Sequence, residues 1–294
     1  MSKAWQQVAA RPRSVCESLT APRNRFASML DIEFSQLSEP GRVRSRNEDY
    51  LGHVLPASPA QARSHGWLFA LADGVGGQRQ GEVASRAAIE EVVAGFRRAA
   101  ANAPHRGLLT SLVQAANARV CETEILAGPA GSGMASTIVV CALRFDRATV
   151  AHVGDSRLYV IRKGEARQIT NDHTVAREQA RLGILSTAEA GQVATRHVLS
   201  RSLGKGLFAN VEINEVQLLP GDVVLICSDG LHGPIGSAEI ARTLSEARDL
   251  DAAARQLVDS ANEQDGGDNV SLQLIRIRSI ERMGMYRGRP YKLR

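Results

Sequence analysis

The chain has 294 residues, 44% of them apolar and 23% charged, which suits a globular domain large enough to bury its own core. Its longest apolar runs, such as Ile138 to Leu143, are about six residues, far short of the ~18 needed to cross a bilayer, and no apolar stretch follows Lys3 as a secretory signal requires. The net charge of +5 lies at the ends: residues 1–30 carry +4 and residues 276–294 carry +6, which leaves the middle at −5.

An acidic middle argues against a basic nucleic-acid groove in the folded part. The four cysteines, Cys16, Cys121, Cys141 and Cys227, form no Cys-x-x-Cys pair. A disulfide framework and a zinc site are both disfavoured, and a cytoplasmic location is expected.

Residues 1–30, rich in Arg, Ala and Ser without sustained periodicity, read as a disordered basic leader. Residues 31–278 read as one domain and 279–294 as a basic C-terminal tail. Trp67–Asp73 is a strand-like apolar run. Gly81–Ala101 is helical, with Ala84, Ala88 and Val92 as its buried stripe. Leu109, Leu112, Val113, Ala116 and Val120 follow helical spacing. Ser136–Phe145 and Ala148–Asp155 flank a turn at Asp146-Arg147. Arg157–Arg162 and Ala166–Thr170 flank Lys163-Gly164, a hairpin signal. Ser186-x-x-Glu189 is a capping-box pattern. Val211–Leu219 and Asp222–Ser228 read as strands, Leu250–Ala261 as a helix and Asn269–Ile277 as a last strand. Strands and helices do not alternate regularly, so the expectation is mainly antiparallel sheet with segregated helices, an α+β fold.

Four aspartates share one context. Asp73, Asp155, Asp229 and Asp268 each lie where an apolar run ends or begins, beside a Gly, Ser or Asn that permits a tight turn. Asp-Gly is a common turn pair, but strand ends of a layered domain can converge on one rim. Carboxylates gathered there repel one another unless cations neutralise them. Hard divalent ions, Mg2+ or Mn2+, match an all-oxygen donor set. Segment 41–49 adds Glu48, Asp49 and the arginines at 42, 44 and 46. Guanidinium beside a metal-carboxylate cluster suits phosphate. Cys141 to Arg147 has the Cys-x5-Arg spacing of cysteine-dependent phosphatases, but its apolar setting and lack of glycine argue against a phosphate cradle.

These stretches together resemble the metal-dependent serine/threonine protein phosphatases of type 2C, in their bacterial branch. The resemblance rests on eight pieces in order: Arg44-Ser45-Arg46-Asn47-Glu48-Asp49, Ala72-Asp73-Gly74-Val75-Gly76-Gly77, Gly133-Met134-Ala135-Ser136-Thr137, His152-Val153-Gly154-Asp155-Ser156-Arg157, Thr170-Asn171-Asp172-His173-Thr174, Ser200-Arg201-Ser202-Leu203-Gly204, Cys227-Ser228-Asp229-Gly230-Leu231 and Gly267-Asp268-Asn269-Val270-Ser271. It spans about residues 32–278.

The resemblance implies a four-layer α-β-β-α sandwich, two mainly antiparallel sheets flanked by helices. It implies two Mn2+ or Mg2+ ions, bridged by a water or hydroxide that attacks the phosphorus of phosphoserine or phosphothreonine. By motif match Asp73 bridges both ions, Asp229 and Asp268 complete one site, and Glu48 and the Gly74 carbonyl serve the other, with Asp49 nearby. Asp155 with Asp229 matches a third, weaker metal site. Arg44 matches the phosphate clamp. Thr174 to Ser200 corresponds to a flap over the site. Val75 stands where some relatives carry a histidine, which leaves the general acid unassigned. The implied partners are phosphoproteins, a cognate serine/threonine kinase and its substrates, approached by a monomer without nucleic acid or a membrane span. A catalytically silent binding module on the same fold is the alternative, and an adaptor acting through the basic ends is a third.

Overall fold

The computed structural model describes residues 15–19, 30–75, 80–128, 133–280, 283–286 and 289–292. In chain order its strands are β1 (Val15–Leu19), β2 (Leu30–Glu39), β3 (Asp49–Val54), β4 (Trp67–Val75), β5 (Ala135–Ser136), β6 (Ile138–Arg144), β7 (Arg147–Val153), β8 (Arg157–Arg162), β9 (Glu165–Gln168), β10 (Glu212–Gln217), β11 (Val223–Cys227), β12 (Val270–Ile280), β13 (Met283–Tyr286) and β14 (Arg289–Lys292). The helices are α1 (Pro59–Ser64), α2 (Gln80–Arg98), α3 (His105–Ala127), α4 (Val175–Arg181), α5 (Thr187–Ala190), α6 (Asp229–His232), α7 (Ser237–Glu246) and α8 (Leu250–Gln264).

Two antiparallel sheets carry the architecture. The first runs β1-β2-β12-β11-β8-β9 and the second β10-β7-β6-β4-β3, with β5 paired to β4. Both faces of the central strands are buried, so their side chains alternate between two apolar layers. In β4, Trp67, Phe69 and Leu71 enter the layer between the sheets, while Leu68, Ala70 and Ala72 face α2 and α3. In β11, Val224 and Ile226 join the inter-sheet layer, and Val223, Leu225 and Cys227 pack with residues of α7 and α8. Three apolar layers between four structural layers make the expected α-β-β-α sandwich.

The helix of residues 81–101 is α2, and Ala84, Ala88 and Val92 are fully buried in it, as the spacing predicts. The capping box at Ser186 and Glu189 forms with both reciprocal bonds. The continuous strand expected over 136–145 is divided into β5 and β6 at Thr137, whose backbone N–H instead donates to Asp73 O at 2.8 Å. Cys141 faces the inter-sheet layer, and burial pushes its thiol up to about 12, which excludes a thiolate nucleophile there.

The basic leader requires a correction. Val15–Leu19 pair antiparallel with β2, from Val15 opposite Ser38 to Leu19 opposite Phe34. An extended segment satisfies the backbone groups that β2 would otherwise present as a sheet edge. Leu30 is fully buried as the first residue of β2. The remainder of 1–29 lies outside the described residues. At the other end, β12 continues to Ile280 and β13 pairs with β14, so the tail expected from residue 279 begins inside a strand and includes a hairpin.

Candidate active site

Antiparallel pairing brings the ends of strands from both sheets to one rim. Glu48 precedes β3 and Asp49 opens it, and Asp73 lies near the end of β4, directly opposite Asp49 in the ladder. Asp155 stands where the chain leaves β7 in the second sheet for β8 in the first. Asp229 follows β11, and Asp268 precedes β12. The two sheets therefore contribute carboxylates to one place, near enough for the charge of Asp229 to act on Asp73.

A cavity of about 950 Å³ opens on this rim, lined by Arg44, Glu48, Asp73, Gly74, Asp155, Asp229 and Asp268. Asp49 is the exception among the expected residues. It is buried behind the cavity, where its Oδ2 accepts from Ser228 Oγ at 2.9 Å and its Oδ1 has no partner. Gly76 and Gly77 of the sequence motif lie outside the described residues.

Apart from the Arg44–Asp268 pair, the rim carboxylates form no ion pair among the described residues. Burial raises Asp73 well above the usual carboxylate range, and Asp49, Asp229, Asp155 and Asp268 raise it further. Burial and then Asp229 push Asp155 up to about 7. Asp49 is pushed to about 7 by burial, against the pull of the neighbouring Ser271 and Ser228. Asp229 is raised by burial and then by Asp268. Glu48 is raised chiefly by burial, with Arg44 opposing. Arg44 Nη2 donates to Asp268 Oδ2 at 2.9 Å, with both side chains about half exposed. Buried oxygens that repel one another, one of them unpartnered, fit hard divalent cations.

Local structure holds these groups in place. Asp73 N donates to Thr137 Oγ1 at 3.0 Å, Ser136 Oγ donates to Asp73 O at 2.9 Å, and Thr137 Oγ1 and Ser156 Oγ are 2.7 Å apart. Gly74 and Gly81 let the start of α2 press against β4: a Cβ on Gly74 would lie 2.1 Å from Gly81 O, and one on Gly81 would lie 2.9 Å from the Glu48 carboxyl carbon. Asn269 ties the 40–48 loop to the rim. Its Oδ1 accepts from Glu48 N at 2.8 Å, and its Nδ2 donates to Arg46 O at 2.7 Å and Pro40 O at 3.1 Å. Sequence reasoning quoted Asn269, Ser136, Thr137 and Ser228 in motifs without giving them this work. For Asn269 and Ser228 the available signal was their position next to Asp268 and Asp229; Ser136 and Thr137, 63 and 64 positions from Asp73, carried none.

Residues 174–200 form a sub-structure of α4, α5 and a 3-10 turn (Ala194–His197). Its two ends meet: Val175 N donates to Val198 O at 2.8 Å, Ser200 N donates to His173 O at 2.9 Å, and Thr174 bridges Leu199. His197, Val198, Leu199 and Ser200 line the cavity.

His152, His173 and Glu212 form a second titratable cluster, and its geometry is structural. The two imidazoles stack at 4.6 Å and 11°, so their in-plane lone pairs run parallel and do not converge on one ion. His173 Nδ1 accepts from Gly154 N at 3.1 Å, which leaves Nε2–H to face Glu212 Oε2 at 3.3 Å. Glu212 Oε1 accepts from Asn171 at 2.6 Å and Asn214 at 3.1 Å.

Residues 42–275 match the family model for protein phosphatase 2C. The chain is 30% identical over 258 residues to the serine/threonine phosphatase stp of Listeria innocua, covering 86% of this chain and 96% of that one. The structure of the PPM Ser-Thr phosphatase MsPP from Mycobacterium smegmatis, in complex with cacodylate, aligns with a TM-score of 0.69 at 34% identity, over 85% of this chain and 100% of that one. The catalytic domain of the serine threonine protein phosphatase PstP, solved with two manganese ions, aligns with a TM-score of 0.71 at 27% identity, over 84% and 99% of the two chains. The chain belongs to the protein phosphatase 2C family. Its activity is that of a protein serine/threonine phosphatase, dependent on divalent metal.

Proposed function

We propose that the rim carboxylates hold two Mn2+ or Mg2+ ions for hydrolysis of phosphoserine and phosphothreonine in cytoplasmic proteins. Asp73 would serve both ions, Asp229 and Asp268 would complete one site, and Glu48 with the Gly74 carbonyl would complete the other. Asp155 and Asp229 would supply a third, weaker site. The observation that carries this reading is the set of carboxylates raised by burial and by one another on one cavity, of which only Asp268 has an arginine partner among the described residues. Asp49 supports the ligands from behind by fixing Ser228, the N-cap of the helix that begins with Asp229.

Such ions, when bound, lower the pKa of water and neutralise charge on a phosphoryl group. The chain's own groups do the rest. Arg44 reaches the cavity from an exposed turn and can accept a phosphoryl group on its planar fork, with Asp268 as its partner in the free enzyme. Asn269 fixes the turn that carries Arg44 and Glu48, which keeps phosphate and ligands in register. Val75 lines the cavity and has no proton to give, so the leaving seryl or threonyl oxygen takes its proton from water. No covalent phosphoenzyme is required.

Three of the four cysteines are described and free, and no helix among the described residues is long and apolar enough to cross a membrane. We further propose a cytoplasmic monomer that opposes a serine/threonine kinase. The test is hydrolysis of p-nitrophenyl phosphate and a phosphothreonine peptide with Mn2+ and with EDTA, with Asp229→Asn alongside. Metal-dependent turnover that vanishes in the variant is expected. Folded, metal-loaded protein inactive on both substrates would instead identify a silent binding module.

A further inference from the structure

The segment Leu203–Ala209 is held unusually firmly for a loop that shows apolar side chains to water. Leu203 is fully buried and exchanges backbone hydrogen bonds with Ser136, at 2.8 and 3.3 Å. Gly204 has φ +85°, and a Cβ there would lie 2.5 Å from Met134 O. Two amide side chains of α3 then clamp the loop. Asn117 accepts from Gly204 N at 2.9 Å and donates to Gly206 O at 2.8 Å. Gln114 donates to Ala209 O at 2.7 Å and accepts from Ala209 N at 3.1 Å.

Between these clamps, Leu207 and Phe208 are 87% and 86% exposed. Two adjacent large apolar residues displayed on a fixed backbone cost hydration free energy without a folding return. Phe208 lines the same cavity as the rim carboxylates, together with Val198, itself 50% exposed, and Lys205. Lys205 has no ion pair among the described residues. The cavity thus has apolar and basic lining as well as the acidic rim.

We infer that Phe208, with Val198 and Lys205, is the specificity-determining wall for the polypeptide flanking the phosphorylated residue, and that it favours substrates with a large apolar side chain and a carboxylate there. This rests on the reading of the rim as the phosphate-hydrolysing site. Continuity of one cavity places the wall beside the scissile phosphate. A pre-ordered loop offers that surface at low entropic cost on binding. Lys205 supplies charge for an acidic flank that the rim itself repels.

The experiment compares wild type, Phe208→Ser and Lys205→Glu with Mn2+ on p-nitrophenyl phosphate and on three phosphothreonine peptides. One peptide is flanked by leucine and glutamate, the second has serine in place of the leucines, and the third has arginine in place of the glutamates. Phe208→Ser should raise KM about tenfold on the first peptide with kcat unchanged, which is about 1.4 kcal/mol, within the range for covering an aromatic ring. It should change KM little on the serine peptide and leave p-nitrophenyl phosphate turnover within about twofold, since that leaving group has no flank. Lys205→Glu should weaken the glutamate peptide several-fold and improve the arginine peptide. Equal loss on p-nitrophenyl phosphate and peptide, or an unchanged peptide KM, would overturn the inference while leaving the hydrolytic site standing. A wild type inactive on every substrate would remove both. The melting temperatures of the variants should match that of wild type, because both side chains are exposed.

Discussion

Strand β11 has an aspartate beyond each end, and the two live in opposite surroundings. Asp222, 1% exposed, accepts from Arg162 Nε at 2.8 Å, Arg162 Nη2 at 2.7 Å and Leu219 N at 2.7 Å. Its charge is fully spoken for by groups of the chain. Asp229, at the other end, lies among the rim carboxylates and is raised by burial and then by the charge of Asp268. Burial alone does not distinguish a structural carboxylate from a functional one. The presence or lack of a built-in cation does, because a buried charge left to its neighbours' repulsion persists only if something outside the chain compensates it.

The largest test of this contrast is Asp229→Asn. Activity with Mn2+ should fall by about a thousandfold, the scale of losing a group that stabilises transition-state charge. The melting temperature of the EDTA-treated protein should rise at the same time, since one repelling charge is gone. A variant that loses stability instead would place Asp229 with Asp222. Arg162→Met is the mirror test: stranding Asp222 should cost about 3 kcal/mol in urea denaturation, with unchanged activity per folded molecule.

Metal addition should separate the two ends more finely. Mn2+ at 100 times its Kd should stabilise the protein by about 2.7 kcal/mol. Asp49 and Asp155 have pKa values raised to about 7, so in the metal-free fold they hold protons that the unfolded chain has lost. That contribution is fully present below about pH 4 and disappears as pH rises through 7. Cations must displace those protons, so the Mn2+-induced gain in melting temperature should be smaller at pH 6 than at pH 8. An equal gain at both would mean that Asp49 and Asp155 are not linked to the ions. The smallest expected effect is Arg44→Lys, which replaces a planar fork by a point charge. KM for a phosphothreonine peptide should rise about tenfold with the metal-binding isotherm little changed.

The aspartates of the rim were legible because each closes or opens an apolar run, and such a run announces where a strand meets an edge. Asp222 opens a run in the same way, and nothing local distinguishes it. Its guanidinium partner lies 60 residues away, at Arg162. Strand β2 was hidden for a similar reason. The interior of β2 contains Ser35 and Gln36, and Gln36 is satisfied by Gln273 Nε2 at 3.0 Å, 237 positions along the chain. Polar residues paired only in three dimensions erase the period-two pattern on which strand reading depends. The role of Asn269 is invisible likewise, because its three partners are backbone groups of residues 40–48. The edge strand β1 depends on the exposed side of β2, which no local pattern in the leader encodes.

The meeting of Thr174 with Leu199 has a consequence for how this architecture diversifies. The chain leaves the sandwich at His173 and returns at Ser200 through neighbouring, hydrogen-bonded positions, while α5 caps itself with Ser186 and Glu189. Closing such a stem costs the surrounding sheets the same whatever its contents, and the entropy of a longer excursion grows only slowly with length. Residues 175–198 therefore behave as an exchangeable cassette. A graft from a relative, joined at those two points, should leave the carboxylate rim intact and alter only what can approach it.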